Sequence, residues 1–342
     1  MNSNIEWFKK AQYGMMIHWG LYSLLAGEYN GRPSSNYAEW IQSNLRIPNK
    51  EYAKLTQAFN PIFFDAEKIV ALAQKCGMKY LVVTTKHHDG FAMYHSQVDR
   101  YNIYDASPFH RDVLAELAAA CRRAGLKLGL YYSQDLDWHD PNGGGYLTND
   151  LESAGSSWDN NWDFQDEKSK DYALCFNNKI LPQVREIMSN YGEIAVAWFD
   201  VPMTLSKQQS QELYATVKRL QPDCLVNSRL GNGKYDYVSL GDNEVPDVKT
   251  AGNEKVDYNA LNGFKPSPYG LYETAATMNN SWGFSYRDQD WKRPQQICQT
   301  RKHLNSLGIN YLLNVGLDGL GRVPMMAEKN LLAAEKLMDK KD

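Results

Sequence analysis

The chain has 342 residues, 43% hydrophobic and 23% charged, which suits a soluble globular fold large enough to bury a substantial core. A net charge of -3 provides no basic field, so neither nucleic acid nor an anionic membrane surface is expected as a partner. Five scattered cysteines, odd in number and never paired as C-x-x-C, exclude a disulfide framework and a structural zinc site.

In chain order, the first segment, "MNSNIEWFKK", has no apolar leader region. A cytoplasmic protein is expected, or a secreted one whose leader has been removed. No run approaches 18 apolar residues, so no membrane span is expected. "YGMMIHWG" (13–20) reads as the first strand. "DAEKIVALAQKCG" follows as a helix capped by Asp65 and stopped at Gly77, and it leads into "MKYLVVTT" (78–85). "DVLAELAAACRRAG" is capped by Asp112 and closed by Gly125, ahead of the strand "LKLGLYYS" (126–133).

"IAVAWFD" (194–200) is the next strand, followed by the helical "LSKQQSQELYATVKRLQ". Three short runs come close together, "CLVNSR" (224–229), "YVSL" (237–240) and "YGLYETA" (269–275), with loops where helices would be expected. A helix after Pro294, the strand "NYLLNVG" (310–316) and a helix after Pro324 complete the chain. Several strands are continuously apolar, as parallel strands covered on both faces are. Eight strands alternating with helices predict a single (β/α)₈-like barrel over 1–342, irregular between 224 and 275. An open doubly wound sheet is the other reading, weakened by the lack of a G-x-G-x-x-G after the first strand.

The active face of such a barrel lies at the C-terminal strand ends. The strands end at His18-Trp19, at His87-His88-Asp89, near Tyr132 and "DLDWHD", at Trp198-Phe199-Asp200, and at Asn227 and Arg229. The sixth ends at Asp242 and Glu244, and the seventh contains Glu273. Polar and aromatic groups therefore collect on one rim. Three histidines and several carboxylates raise a metal-dependent hydrolase, but adjacent histidines on a strand face opposite ways and no H-x-H or H-E-x-x-H is present. No metal or organic cofactor is expected. Nine Trp and 22 Tyr, beside Asn and Asp, suit a sugar, whose C–H face lies flat on a ring. Glycoside hydrolysis needs two carboxyl groups. Asp200, at the end of an apolar strand, supplies one; Asp242, Glu244 and Glu273 are candidates for the other.

The ordered set "GMMIHWG", "AEWI", "FNPIFFDAEKIVALAQKCGMKYLVVTTKHHDGF", "GLYYS" and "AWFD" resembles the α-L-fucosidases of glycoside hydrolase family 29 across nearly the whole chain. The resemblance implies a retaining exo-α-L-fucosidase acting on fucosylated glycans, with Asp200 as nucleophile. It further implies that His18, Glu39, Trp40, His87 and His88 hold fucose hydroxyls. Tyr132, Trp198 and Arg229 are expected to line the same subsite, and Trp282 in "NNSWGFSY" to meet the methyl side of the sugar. Tyr132 and Trp198 also fit as core residues, and Arg229 as a structural partner of Asp200 or Asp242. For the acid/base, Glu244 in "SLGDNEVPD" is taken first, Glu273 second and Asp242 third. Many family members carry a C-terminal β-sandwich; here the sequence stops after what reads as the last barrel helix. A fucose-binding barrel without catalysis is the alternative function.

Overall fold

The computed structural model describes residues 3–146, 158–164, 167–247 and 266–338. Eight parallel strands form one sheet: β1 (Tyr13–His18), β2 (Tyr80–Lys86), β3 (Lys127–Tyr132), β4 (Val196–Phe199), β5 (Leu225–Val226), β6 (Val238–Ser239), β7 (Tyr272–Thr277) and β8 (Ile309–Gly316). Their order is β5-β4-β3-β2-β1-β8-β7-β6. A parallel bridge between Asn227 and Tyr237 then joins the two edges, so the sheet curls onto itself as a (β/α)₈-like barrel. β5 and β6 have only two residues each, and a 3₁₀ turn at Ser228–Leu230 stands where a helix would be. The irregularity expected from the sequence is therefore located at this seam.

The helices obey local chemistry. After α1 (Ser3–Ala11), α2 (Ala66–Lys75) begins where the Asp65 carboxylate accepts the Lys68 N–H, and α3 (Val113–Ala124) where Asp112 accepts that of Ala115. Gly125 ends α3 at φ +66°, a left-handed conformation open to glycine. A helix that the sequence did not signal, α4 (Leu181–Ser189), follows a π-helical turn at Phe176–Ile180. Pro182 near its start disguises it, because proline is tolerated in a first helical turn but reads as a breaker elsewhere. α5 (Lys207–Leu220) opens with a Ser206–Gln209 capping box; α6 (Pro294–Ser306) and α7 (Met325–Met338) follow, and several four-residue helical turns lie in the loops. Among the described residues no helix is long and apolar enough to cross a membrane.

Two apolar layers follow from strand alternation. Met16, Tyr80, Val82, Tyr131, Val196, Trp198 and Leu312 share one cluster inside the barrel, closed below by Phe8 and Ala11 of α1. Their neighbours in sequence, such as Met15, Leu81, Val83, Tyr132, Ala197 and Phe199, pack outward against the helices. This parity decides which side chains reach the rim.

Candidate active site

Asp200 directly follows β4 on the inward parity of Val196 and Trp198, and it is 9% exposed. The Tyr131 hydroxyl donates to its Oδ2 at 2.9 Å, and Arg229 Nη1 to its Oδ1 at 3.2 Å. Burial outweighs that cation and lifts the carboxyl from 3.8 to about 6. Arg229 lies over the Trp198 ring at 4.8 Å, and its Nη2 donates to Asp242 Oδ1 at 2.6 Å. One guanidinium therefore carries both Asp200 and Asp242, the first buried and the second with a third of its side chain exposed.

The histidines gather beside this pair. β2 is irregular between Thr84 and Lys86, and beyond it the chain has left the ladder. His87 and His88 therefore both turn into the site, with ring centroids 4.1 Å apart, rather than to opposite faces. His88 Nε2 lies 3.8 Å from Asp200 Oδ2, while Nδ1 is 2.7 Å from Ser133 Oγ. His87 stacks on Tyr131 and meets the edge of His18. His18 Nδ1 sits 2.8 Å from Asn314 Oδ1, and its ring is 5.2 Å from Trp282. Burial drives all three imidazoles below their ordinary value, His18 to about 4, so they are neutral at pH 7. Among the described residues no group of three or more His, Cys, Asp or Glu is placed to hold a metal ion.

Glu39 and Trp40 come from a 3₁₀ turn, Ala38–Trp40, that packs against Gly283 and His88. Glu39 is 1% exposed; its Oε2 accepts the Gly283 N–H at 2.7 Å and the Ser281 hydroxyl at 3.3 Å. Gly283 suits this approach, since a Cβ there would stand 3.1 Å from Glu39 Cβ. Burial pushes Glu39 up to about 8. Trp40 contacts His88 edge-on at 4.9 Å. Three buried polar atoms, Glu39 Oε1, His87 Nδ1 and His88 Nε2, have no hydrogen-bond partner among the described residues. Buried polar atoms are ordinarily paired, so three left open on neighbouring elements of one site fit a ligand with several hydroxyls.

The structure brings His18, Glu39, Trp40, His87, His88, Trp198, Asp200, Arg229 and Trp282 to one rim. It does not bring Tyr132 there. Tyr132 is on the outward parity, where its hydroxyl donates to Gln183 Oε1 at 2.8 Å and Lys86 lies over its ring. The residue that reaches the site is Tyr131, one position earlier; the inward parity of β3 would have found it. Glu244 is not drawn to Asp200 either. Its Oε2 folds back onto the N–H of Gly241 at 2.8 Å, whereas Asp242, two residues before, reaches Arg229. Glu273 is wholly buried in the second position of β7, one layer below the rim. There it accepts from Trp198 Nε1 at 2.9 Å and Tyr80 Oη at 2.6 Å, and so braces Trp198 from underneath.

A family model described as α-L-fucosidase matches residues 1–342. Tissue α-L-fucosidase of Rattus norvegicus is 28% identical over 97% of this chain and 67% of its own length. The Homo sapiens tissue enzyme is 27% identical over 96% and 66%. The chain thus spans about two thirds of these mammalian relatives. Among solved structures, the unliganded α-L-fucosidase AlfC of Lactobacillus casei is 70% identical, covers 99% of this chain and 98% of its own, and superposes with a TM-score of 0.91. Other structures of AlfC hold an α-L-fucose product, 4-nitrophenyl α-L-fucopyranoside, and fucose α(1,6)-linked to GlcNAc. An α-L-fucosidase from Vibrio sp. strain EJY3 is 36% identical with a TM-score of 0.85, over 99% of this chain and 55% of its own.

Proposed function

The chain belongs to the α-L-fucosidase family and is a glycoside hydrolase, and from that premise we propose that it removes terminal α-L-fucose from fucosylated glycans by double displacement at Asp200. The observation that carries this is the buried, Arg229-paired Asp200 with His88 Nε2 3.8 Å away and with further unpartnered polar atoms on His87, beside His88, and on Glu39. Those atoms suit sugar hydroxyls, and the Trp282 ring beside His18 suits the apolar methyl side of fucose. Ionised Asp200 attacks the anomeric carbon while the glycosidic C–O bond breaks and the leaving oxygen takes a proton. Water, activated by the same acid/base, then cleaves the fucosyl-aspartate, so the anomeric configuration is retained.

For the acid/base the geometry favours Asp242 over Glu244. Asp242 shares Arg229 with the nucleophile and is open to solvent, from which the leaving group departs and water enters. Glu244 caps a backbone N–H of its own turn, and Glu273 lies beneath Trp198 with no path to the leaving oxygen. Fucose α(1,6)-linked to GlcNAc is a reasonable natural unit, from its complex with the L. casei relative.

The test is 4-nitrophenol release from the α-L-fucoside by wild type, Asp200→Ala, Asp242→Ala and Glu244→Ala, each with and without azide. Asp200→Ala is expected to be inactive. Asp242→Ala is expected to slow and to be restored by azide as α-fucosyl azide, since azide intercepts the β-linked fucosyl-enzyme from the open face, with Glu244→Ala near wild type. Azide rescue of Glu244→Ala with an unaffected Asp242→Ala would reverse the acid assignment. Full activity of Asp200→Ala would overturn the mechanism.

A further inference from the structure

The nucleophile is followed at once by a strained residue. Val201 has φ +48°, in the left-handed region that a β-branched side chain avoids. Such a conformation persists only where its surroundings over-determine it. What surrounds it comes from the end of the neighbouring strand, where two consecutive side chains, Gln134 and Asp135, are both wholly buried.

Gln134 grips the near side of the turn. Its Oε1 accepts the Asp200 N–H at 2.9 Å, and its Nε2 donates to the Arg229 carbonyl at 3.0 Å. One amide thus ties the backbone of the nucleophile to that of its paired arginine. Asp135 grips the far side: its Oδ2 accepts the N–H groups of Met203, Thr204 and Leu205 at 2.9, 2.8 and 2.7 Å. Its Oδ1 accepts the N–H of Gly145 at 2.9 Å. Tyr172 donates its hydroxyl to the Gln134 carbonyl at 2.6 Å, anchoring the pair from the outside.

We propose that Gln134 and Asp135 form a two-pronged clamp that holds the Val201 turn and thereby fixes the position of Asp200 against Arg229. Both are positioning residues, since their side-chain bonds go to backbone rather than to the sugar-facing atoms. The inference rests on Asp200 being the nucleophile. A nucleophile displaced by an ångström loses most of its in-line advantage while the sugar-holding histidines stay in place. The expected signature is therefore a fall in kcat without a matching loss of fucose affinity.

Gln134→Leu keeps the bulk and removes both bonds. It is expected to lower kcat on 4-nitrophenyl α-L-fucoside by about 100-fold, with the fucose inhibition constant within about three-fold of wild type. Gln134→Glu, which keeps the acceptor for the Asp200 N–H but loses the donor to Arg229, should recover part of that loss. Unchanged kcat in Gln134→Leu, or fucose affinity falling in step with kcat, would overturn the proposal, and so would a Gln134→Glu variant no better than Gln134→Leu. A second arm needs no activity. Asp135→Asn should lower Tm less in a Val201→Gly background than in wild type, because glycine accepts the positive φ unaided; equal losses would remove the strained turn from the argument. If Asp200→Ala proves active, the nucleophile reading fails while this melting cycle still reports on the clamp.

Discussion

Replacing Asp200 by asparagine is expected to abolish turnover and, at neutral pH, to stabilise the fold. In the folded chain burial holds the Asp200 proton up to about pH 6, whereas the same carboxyl unfolded has the ordinary value of 3.8. Between those values the native state binds the proton that the unfolded state has released, so stability falls as pH rises through that window. Two pH units, at about 1.4 kcal/mol each, make a penalty of about 3 kcal/mol fully present above pH 6 and absent below pH 4. Only 13% of the side chain is exposed, so solvent screens little of it. Asparagine can keep both contacts, its amide oxygen accepting from Arg229 and its NH₂ donating to the Tyr131 oxygen. For 342 residues the unfolding entropy is roughly 0.7 kcal/mol/K, which converts the penalty to about 4 °C in Tm. Thermal melts of wild type and Asp200→Asn from pH 4 to 8 measure it directly. A variant less stable than wild type at pH 7.5, or a gain that does not grow between pH 4 and 6, would refute the reasoning.

Tyr131→Phe removes the 2.9 Å hydrogen bond that favours ionised Asp200. A bond to a charged group contributes about 1.5–3 kcal/mol, so the acid limb of kcat/KM should rise by about one to two pH units; a limb that does not move would dissociate it from Asp200. His18, lowered to about 4 by burial, should stay neutral throughout the range of activity. Imidazole ¹⁵N shifts report this, and a His18 titration near pH 6.5 would contradict the buried geometry. Asp137 lies between Lys86 and Lys179, 2.9 Å from each, with almost no solvent contact. Asp137→Asn strips the wholly buried Lys86 of its counter-charge, while Lys179 keeps Asp99 at 2.9 Å, and should cost about 3–5 kcal/mol in urea unfolding; a loss below about 1 kcal/mol would mean that the network is relaxed by water.

Much of the site was legible because it is written in local pattern. Apolar runs ending in His18, in His87-His88 and in Asp200 put chemistry at strand ends, and the parallel barrel puts those ends on one rim. Helix starts at Asp65 and Asp112 were equally plain, since a cap is a contact across three residues. By itself, then, the sequence determined the strand-and-helix alternation, the family resemblance, and the carboxylate at the end of β4.

Tertiary structure decided the rest, because it turned on distances between residues far apart in the chain. Tyr131 rather than Tyr132 faces Asp200, a choice of parity set by the register of β3 within the closed barrel. Asp242, Glu244 and Glu273 look alike as sequence candidates. They separate only when Arg229 reaches the first, a turn captures the second, and the barrel interior buries the third beneath Trp198. Gln134 carried no motif, and Asp135 only its place at the start of "DLDWHD"; they matter through backbone groups some 60 to 95 residues away. The seam at Asn227 and Tyr237 is likewise a long-range pairing. Periodicity and caps are short-range physics and survive in one dimension, whereas a charge pair, a register or a clamp exists only once the chain has folded back on itself.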